Sequence, residues 1–306
     1  MSRCAPLYPQ ARHDLPDEFF ALFLDPTRTH SCAYWTQPDH TLEQAQLAKI
    51  DLALEKCDLR PGMTLLDIGC GWGSTMLRAL DTYDIDVIGL TVSPRQYEYV
   101  RAQLARRAPG RRRAEVRLQG WEDFTGRADR IVSIGAFEYF RAERHEAFFE
   151  FAHATLPAGG TMLLHTMVMY GLNHLRAHQI SLSSADTSFI RFLREAVFPG
   201  GRLPQPLGTF PRGVREFAQD AGFAVTRIQP LQAHYAKTLD HWAAALIDHR
   251  DRAVALTDTA TYDTYLRYLL DGAAHFRSGH LDVMQFTCTK PARAQVFPNA
   301  TDTVLP

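Results

Sequence analysis

The stretch Leu65-Leu66-Asp67-Ile68-Gly69-Cys70-Gly71-Trp72-Gly73 constrains this chain more than any other. Its apolar half reads as a short buried strand. Three glycines at alternate positions then force a sharp turn, and only glycine lets the main chain bend so tightly and approach a ligand so closely. A helix is expected from Ser74, so the turn sits where a strand hands over to a helix N-terminus.

The segments that follow repeat the alternation. Strands are expected at Thr64–Ile68, Asp86–Thr91, Glu115–Gln119, Ala128–Ile134, Thr161–Met167, Ala224–Leu231 and Asp282–Thr289. Helices are expected at Ser74–Tyr83, Pro94–Arg107, Arg141–Thr155, Asp240–Arg250 and Thr261–Ser278. Strand, helix, strand at this spacing predicts an α/β fold with a doubly wound, mostly parallel sheet.

Residues 1–60 read as a helical segment that precedes the core. A short apolar helix covers Asp17–Leu24 and stops at Asp25-Pro26; Thr41 caps a longer one that runs to Lys56. The core spans 61–290 and is interrupted at about 168–215 by a helical insertion around Phe189-Ile190-Arg191-Phe192-Leu193. Residues 291–306 read as a loose tail.

The formal net charge of −1 predicts no field for nucleic acid. The local run Arg106, Arg107, Arg111, Arg112 and Arg113 flanks a Pro109-Gly110 turn. It reads as a solvated surface turn or as a docking patch for an acidic carrier protein or phospholipid. Cys4, Cys32, Cys57, Cys70 and Cys288 are odd in number and match no zinc or disulfide spacing, so free thiols and no metal are expected. No apolar run reaches the ~18 residues of a membrane span, and the N-terminus lacks a signal-peptide core. A cytoplasmic protein is expected, at most peripheral to a membrane.

The glycine turn has the spacing G-x-G-x-G, without the G-x-x-G step that suits a dinucleotide pyrophosphate. S-adenosylmethionine carries no phosphate; its carboxylate suits the helix N-terminus. A structural turn and a nicotinamide site remain as alternatives. The second strand ends at Thr91-Val92-Ser93-Pro94-Arg95-Gln96, where Thr91 and Gln96 offer neutral hydrogen-bonding groups beside the ribose and adenine positions. After the third strand, Trp121 offers an indole to stack on adenine, or a plain core residue, and Glu122 offers a polar group to read the adenine amine.

These segments together resemble the cyclopropane fatty acid and mycolic acid synthase family, from about Leu15 to Lys290. The resemblance is carried by Phe19-Phe20 with Leu24-Asp25-Pro26-Thr27, Ser31-Cys32-Ala33-Tyr34, Thr41-Leu42-Glu43-Gln44-Ala45-Gln46, Leu65–Gly73 and Ser133-Ile134-Gly135-Ala136-Phe137-Glu138. It continues through Leu164-His165-Thr166, Phe198-Pro199-Gly200-Gly201-Arg202-Leu203-Pro204, His234-Tyr235-Ala236-Lys237-Thr238-Leu239 and Gln285-Phe286-Thr287-Cys288. The mycolic branch is the more similar.

The resemblance implies a class I methyltransferase sheet whose last strand runs antiparallel, with N-terminal helices and a helical lid. It implies methyl transfer from S-adenosylmethionine to a double bond of an unsaturated long-chain lipid, free or carrier-bound. A bound bicarbonate or carbonate ion then takes a proton from the cation so that a cyclopropane closes; capture by water gives a hydroxylated product instead. The implied bicarbonate site is Cys32, Glu138, His165, Tyr235 and the backbone of Ile134. The implied cofactor contacts are His30, Ser31, Leu65, Asp67, Gly69, Gly71, Gly73, Thr91, Gln96, Trp121 and Glu122. Transient contact with an acyl carrier protein or a membrane surface goes with such a substrate.

Bland readings stand beside several of these. Cys32 also reads as an ordinary buried thiol and His165 as a satisfied core histidine. Cys288 matches a cysteine sometimes assigned as active, yet it sits on an expected buried strand, and this chemistry needs no thiol nucleophile. The chain departs from the family pattern at Arg12-His13-Asp14, at His30, at Glu138-Tyr139-Phe140-Arg141 and across 168–188. In the family the segment corresponding to 168–188 helps to enclose the acceptor, so a non-lipid alkene such as an isoprenoid or polyketide intermediate is the second reading. A cofactor-binding protein without catalysis is the third.

Overall fold

The computed structural model describes residues 15–107, 111–198, 201–208 and 211–292. Cys4, Arg12-His13-Asp14, the Pro109-Gly110 turn, Pro199-Gly200 and the tail beyond Ala292 lie outside the described residues.

Seven strands form one sheet: β1 (Thr64–Ile68), β2 (Asp86–Thr91), β3 (Ala114–Leu118), β4 (Arg130–Ile134), β5 (Thr161–Met169), β6 (Ala224–Pro230) and β7 (Leu281–Thr289), in the order β3-β2-β1-β4-β5-β7-β6. The first five run parallel, and β7 lies antiparallel between β5 and β6. The strand order reverses between β1 and β4, so a crevice opens there at the C-terminal ends of the strands.

Eleven α-helices surround it among the described residues: α1 (Asp17–Phe20), α2 (Leu42–Lys56), α3 (Ser74–Thr82), α4 (Pro94–Arg106), α5 (His145–Thr155), α6 (Leu172–Ala177), α7 (Ser184–Phe192), α8 (Val214–Asp220), α9 (Gln232–Asp248), α10 (Arg250–Leu256) and α11 (Thr259–Arg277). One sheet face packs Leu65, Val87 and Val132 against Ile50 of α2, Met76 of α3 and Val100 of α4. The other packs Leu66, Ile131 and Phe286 against Phe148 and Phe149 of α5 and Ala218 of α8. Residues of successive parity point to opposite faces, as a strand covered on both sides requires.

A third apolar cluster joins the N-terminal aromatics Phe19, Phe20 and Phe23 to Trp242 of α9, Tyr265 and Phe276 of α11, and Phe189 of the insertion. This cluster roofs the crevice.

Several expectations shift. The first helix ends at Phe20 rather than Leu24, and turns carry the chain to Asp25. On α2 the capping box forms as its sequence suggests, with Thr41 Oγ1 accepting from Gln44 N and Gln44 Oε1 accepting from Thr41 N. Its buried face, however, is Ala45, Gln46, Lys49, Ile50, Ala53 and Leu54, while Leu47, Ala48 and Leu52 are half-buried. α9 starts at Gln232, not Asp240, because Tyr235, Ala236, Leu239, Trp242, Ala243 and Leu246 make one buried stripe at helical spacing. The insertion holds α6, α7 and a π-helical turn at Leu193–Val197. Of the arginine run, Arg107 pairs with Asp81 and Arg112 with Asp84, which neutralises part of it.

Candidate active site

The crevice holds two cavities that share Phe20, His30, Ser31, Gly135 and Tyr139. The larger is floored by the glycine turn. Gly69 has φ +76°, and a Cβ there would lie 2.4 Å from the Ala136 Cβ. Gly73 caps α3 at φ +85°, with the Val100 side chain 2.9 Å from where a Cβ would be. The amides of Gly69 and Cys70 both donate to Leu90 O at 2.9 Å, which locks the turn to the end of β2.

Beside the turn, Thr91 Oγ1 donates to Gln96 Oε1 at 2.8 Å, and Ser93 caps α4. Asp67 is fully buried on the cavity wall. Burial pushes its carboxyl up to about 7, and its Oδ2 has no hydrogen-bond partner. Lys49 lines the same wall, donates to Ser31 Oγ at 2.8 Å and is pushed down to about 8 by burial. A carboxylate in want of a donor beside an ammonium suits a ligand that carries charges of both signs.

The N-terminal segment closes this cavity. The Asp25 carboxylate accepts from Thr27 N, Thr27 Oγ1 and Thr29 N, which folds the loop. Arg28, at φ +57°, lies over the rings of Trp72 and Tyr99 and pairs with Asp17. Further on, Thr238 Oγ1 of α9 accepts from Ala33 N and Trp35 Nε1, both at 3.1 Å, and so docks the segment that carries His30, Ser31 and Cys32.

The smaller cavity brings Cys32, Glu138, His165 and Tyr235 together from four separate chain segments. Glu138 follows β4. Its Oε1 accepts from Met167 N at 2.6 Å, its Oε2 is buried without a partner, and burial raises its pKa to about 7. His165 lies on β5; burial holds it well below its ordinary value, and the nearby Lys49 and Lys56 add to this, so its ring is neutral. The Tyr235 hydroxyl lies 3.2 Å from that of Tyr268, and burial keeps it protonated. Burial likewise keeps Cys32 a thiol; its Sγ donates to Ala33 O at 3.1 Å. Most of the remaining wall is apolar or aromatic, with Phe20, Met167, Val197, Phe198, Tyr265 and Val283 among it, while His30 and Ser31 border it on the side shared with the larger cavity.

Of the residues expected to contact a cofactor, His30, Ser31, Asp67, Gly69, Gly71, Thr91, Gln96 and Trp121 line the larger cavity; Ile134, expected beside the bicarbonate, lines this cavity and not the smaller one. Three of the expected cofactor contacts do not line it. Leu65 is sealed between β1 and the helices of one face, Gly73 lies behind the turn against Val100, and Glu122 turns toward Arg144 at 3.7 Å. Trp121 meets both of its readings: it borders the cavity and packs edge-on against Phe148. Cys288 lies on β7 within the opposite apolar cluster, away from both cavities, and burial pushes its thiol up to about 12.

Sequence reasoning missed Lys49, Met167, Tyr265 and Tyr268. Lys49 and Gln46 stand at core positions of α2, and polar residues on an apolar stripe are the signal that was available. Tyr262, Tyr265 and Tyr268 recur at helical spacing on α11. Met167 acts through its backbone, which leaves no mark in the sequence.

The family of mycolic acid cyclopropane synthetases matches residues 8–286 of the chain. Cyclopropane mycolic acid synthase 1 of Mycobacterium tuberculosis (strain ATCC 25177 / H37Ra) is 52% identical over 283 residues, 92% of this chain and 96% of that protein. The S-adenosylmethionine-dependent methyltransferase UmaA of Mycobacterium tuberculosis (strain ATCC 25618 / H37Rv) is 49% identical over 292 residues, 95% of this chain and all of that one. The crystal structure of mycolic acid cyclopropane synthase CmaA1 complexed with SAH and CTAB superposes with a TM-score of 0.87 at 51% identity, covering 92% of this chain and 96% of that chain. This chain belongs to the mycolic acid cyclopropane synthetase family and is an S-adenosylmethionine-dependent methyltransferase.

Proposed function

We propose that this enzyme methylates a carbon–carbon double bond of a long-chain unsaturated lipid and closes a cyclopropane ring, with a bound bicarbonate as the base. One observation carries the reading: Glu138 offers a buried, partnerless carboxylate oxygen inside an aromatic cavity that shares walls with the cofactor cavity.

S-adenosylmethionine supplies an electrophilic methyl group when bound. Asp67 and Lys49 suit its ammonium and carboxylate, and Thr91 and Gln96 present hydrogen-bonding groups at the end of β2. The two cavities share Phe20, His30, Ser31, Gly135 and Tyr139, so a methyl group presented at that boundary would adjoin the acceptor.

A cation formed on the acyl chain needs a dry pocket that holds a base and offers no strong nucleophile. The cavity meets that need. Cys32 is held as a thiol and Tyr235 as a phenol, so neither is an anionic nucleophile at neutral pH. Glu138 Oε2 would accept a hydrogen bond from the hydroxyl of a bicarbonate held there, and Tyr235 and neutral His165 would donate to its oxygens. Phe20, Tyr265 and Tyr139 present ring faces and edges around the site. A bicarbonate held there would supply the base for the one proton that must leave the transferred methyl as the ring closes.

In this reading the segment before residue 60 covers the cofactor, and 168–215 encloses the acceptor. The acyl group arrives from a carrier protein or a membrane surface. Among the described residues no helix is long and apolar enough to cross a membrane, so that contact is peripheral in this account.

The test is to incubate purified protein with S-adenosylmethionine and an unsaturated long-chain lipid, and to follow the product by mass spectrometry. A gain of one CH₂ with loss of the double bond supports the reading. Turnover of S-adenosylmethionine only with a short alkene would favour a non-lipid acceptor.

A further inference from the structure

His165, Gln285 and Gln229 stand in one row across β5, β7 and β6, each the direct register partner of the next. Lys56, at the end of α2, reaches this row. Its Nζ donates to Gln285 Oε1 at 2.5 Å and to Gln229 Oε1 at 2.6 Å. The other end of the Gln285 amide, Nε2, lies 3.3 Å from His165 Nδ1.

The chemistry of these groups leaves one consistent arrangement. An ammonium has only hydrogens to offer, so the Gln285 carbonyl must face Lys56. Its NH₂ then faces His165, and an NH₂ only donates, so Nδ1 must accept. The ring is neutral, because burial and two lysines disfavour its charged form. Its single proton therefore sits on Nε2. A flipped amide would set NH₂ against the ammonium, a clash that neither tautomer of His165 removes. Gln285 is fully buried, so no water relieves it.

We propose that Lys56 and Gln285 are positioning residues that fix His165 as the Nε2–H tautomer, so that the ring presents a donor to the cavity of Glu138 and Tyr235. What that donor serves rests on the bicarbonate reading above; the tautomer itself does not. Neither Lys56 nor Gln285 lines either cavity, so both act through His165.

The experiment is ¹⁵N NMR of the histidine rings in the full-length protein, with His165→Gln used to assign its signals among the thirteen histidines. The wild type should show a neutral His165 ring protonated on Nε2. Gln285→Glu places a carboxylate against Nδ1 and should move the proton there. The kcat should then fall by roughly tenfold or more, with cofactor Kd changed less than about threefold. Lys56→Met, at a half-buried position, frees the amide to rotate and should broaden or mix the tautomers; Lys56→Arg should restore the wild-type signal.

A wild-type ring protonated on Nδ1, or a Lys56→Met protein with an unchanged tautomer, would overturn the proposal. A shifted tautomer with unchanged kcat would overturn the positioning role. If Gln285→Glu fails to fold, the Lys56 pair decides. An Nε2–H ring in a protein that never methylates a lipid would sink the proposed function and leave this inference intact.

Discussion

The Met167 amide holds Glu138 Oε1 at 2.6 Å, and this one bond aims the carboxylate so that Oε2 stays buried and partnerless. The bond joins the segment after β4 to β5, so it fixes the base-holding group relative to His165 two residues earlier on the same strand. Glu138→Gln keeps the shape and the Met167 bond but replaces an acceptor with a donor on the other side. Turnover should fall by about a hundredfold or more, with S-adenosylmethionine affinity by calorimetry nearly unchanged. Full turnover in a folded variant would remove Glu138 from the chemistry.

The same carboxyl gives the ligand-free protein a pH signature. Burial raises its pKa from 4.5 to about 7. Below pH 4.5 it is protonated folded and unfolded alike and costs nothing. Between pH 4.5 and 7 the unfolded chain ionises while the buried carboxyl stays protonated, so stability falls across that window and levels off once the folded group is also ionised. Relative to Glu138→Gln, the wild type should lose on the order of 3 kcal/mol between pH 4 and pH 8. Urea unfolding at both pH values measures this, and a pH-independent difference between the two proteins would contradict it.

Lys49→Met should separate stability from binding. The lysine is fully buried and depressed to about 8 by that burial, so an apolar side chain of similar length should leave the ligand-free protein as stable or more so. Removing its charge from the wall next to Asp67 and Ser31 should weaken S-adenosylhomocysteine by about tenfold. Unaltered affinity would mean that Lys49 only fills the core.

Much of this was legible beforehand, and the reasons differ by residue. The strand–turn at Leu65–Gly73 and the cap at Thr41 are local: each is written in consecutive residues and forms where expected. The start of α9 was not legible, because Leu231 gives no side-chain cap and the stripe that holds Gln232–Leu239 helical packs against distant residues. Lys49 is not legible as a wall residue, because its partner Ser31 comes from a loop that helix periodicity does not reach. Gln285 and Lys56 became visible only through sheet register. Leu65 and Glu122 shared a motif with true wall residues, but strand parity and an arginine turn them away.

Gly69→Ala tests the turn. A methyl group there meets Ala136 at 2.4 Å in a backbone region that disfavours side chains, so the variant should lose about 1–3 kcal/mol of stability. Cofactor binding should weaken with it. A variant of wild-type stability would show that the turn has room to relax.

Cys288→Ser should keep most of the wild-type turnover, at a modest cost in thermal stability for placing a hydroxyl in an apolar cluster. An inactive variant with an unchanged unfolding midpoint would give the thiol a role that its position does not suggest.

The central claim is tested most directly with S-adenosylmethionine carrying a CD₃ group and an unsaturated long-chain lipid. Ring closure by loss of one methyl proton predicts a product that retains two deuteriums on a cyclopropane carbon. A product that keeps all three deuteriums, or a lipid that gains none, would contradict the account.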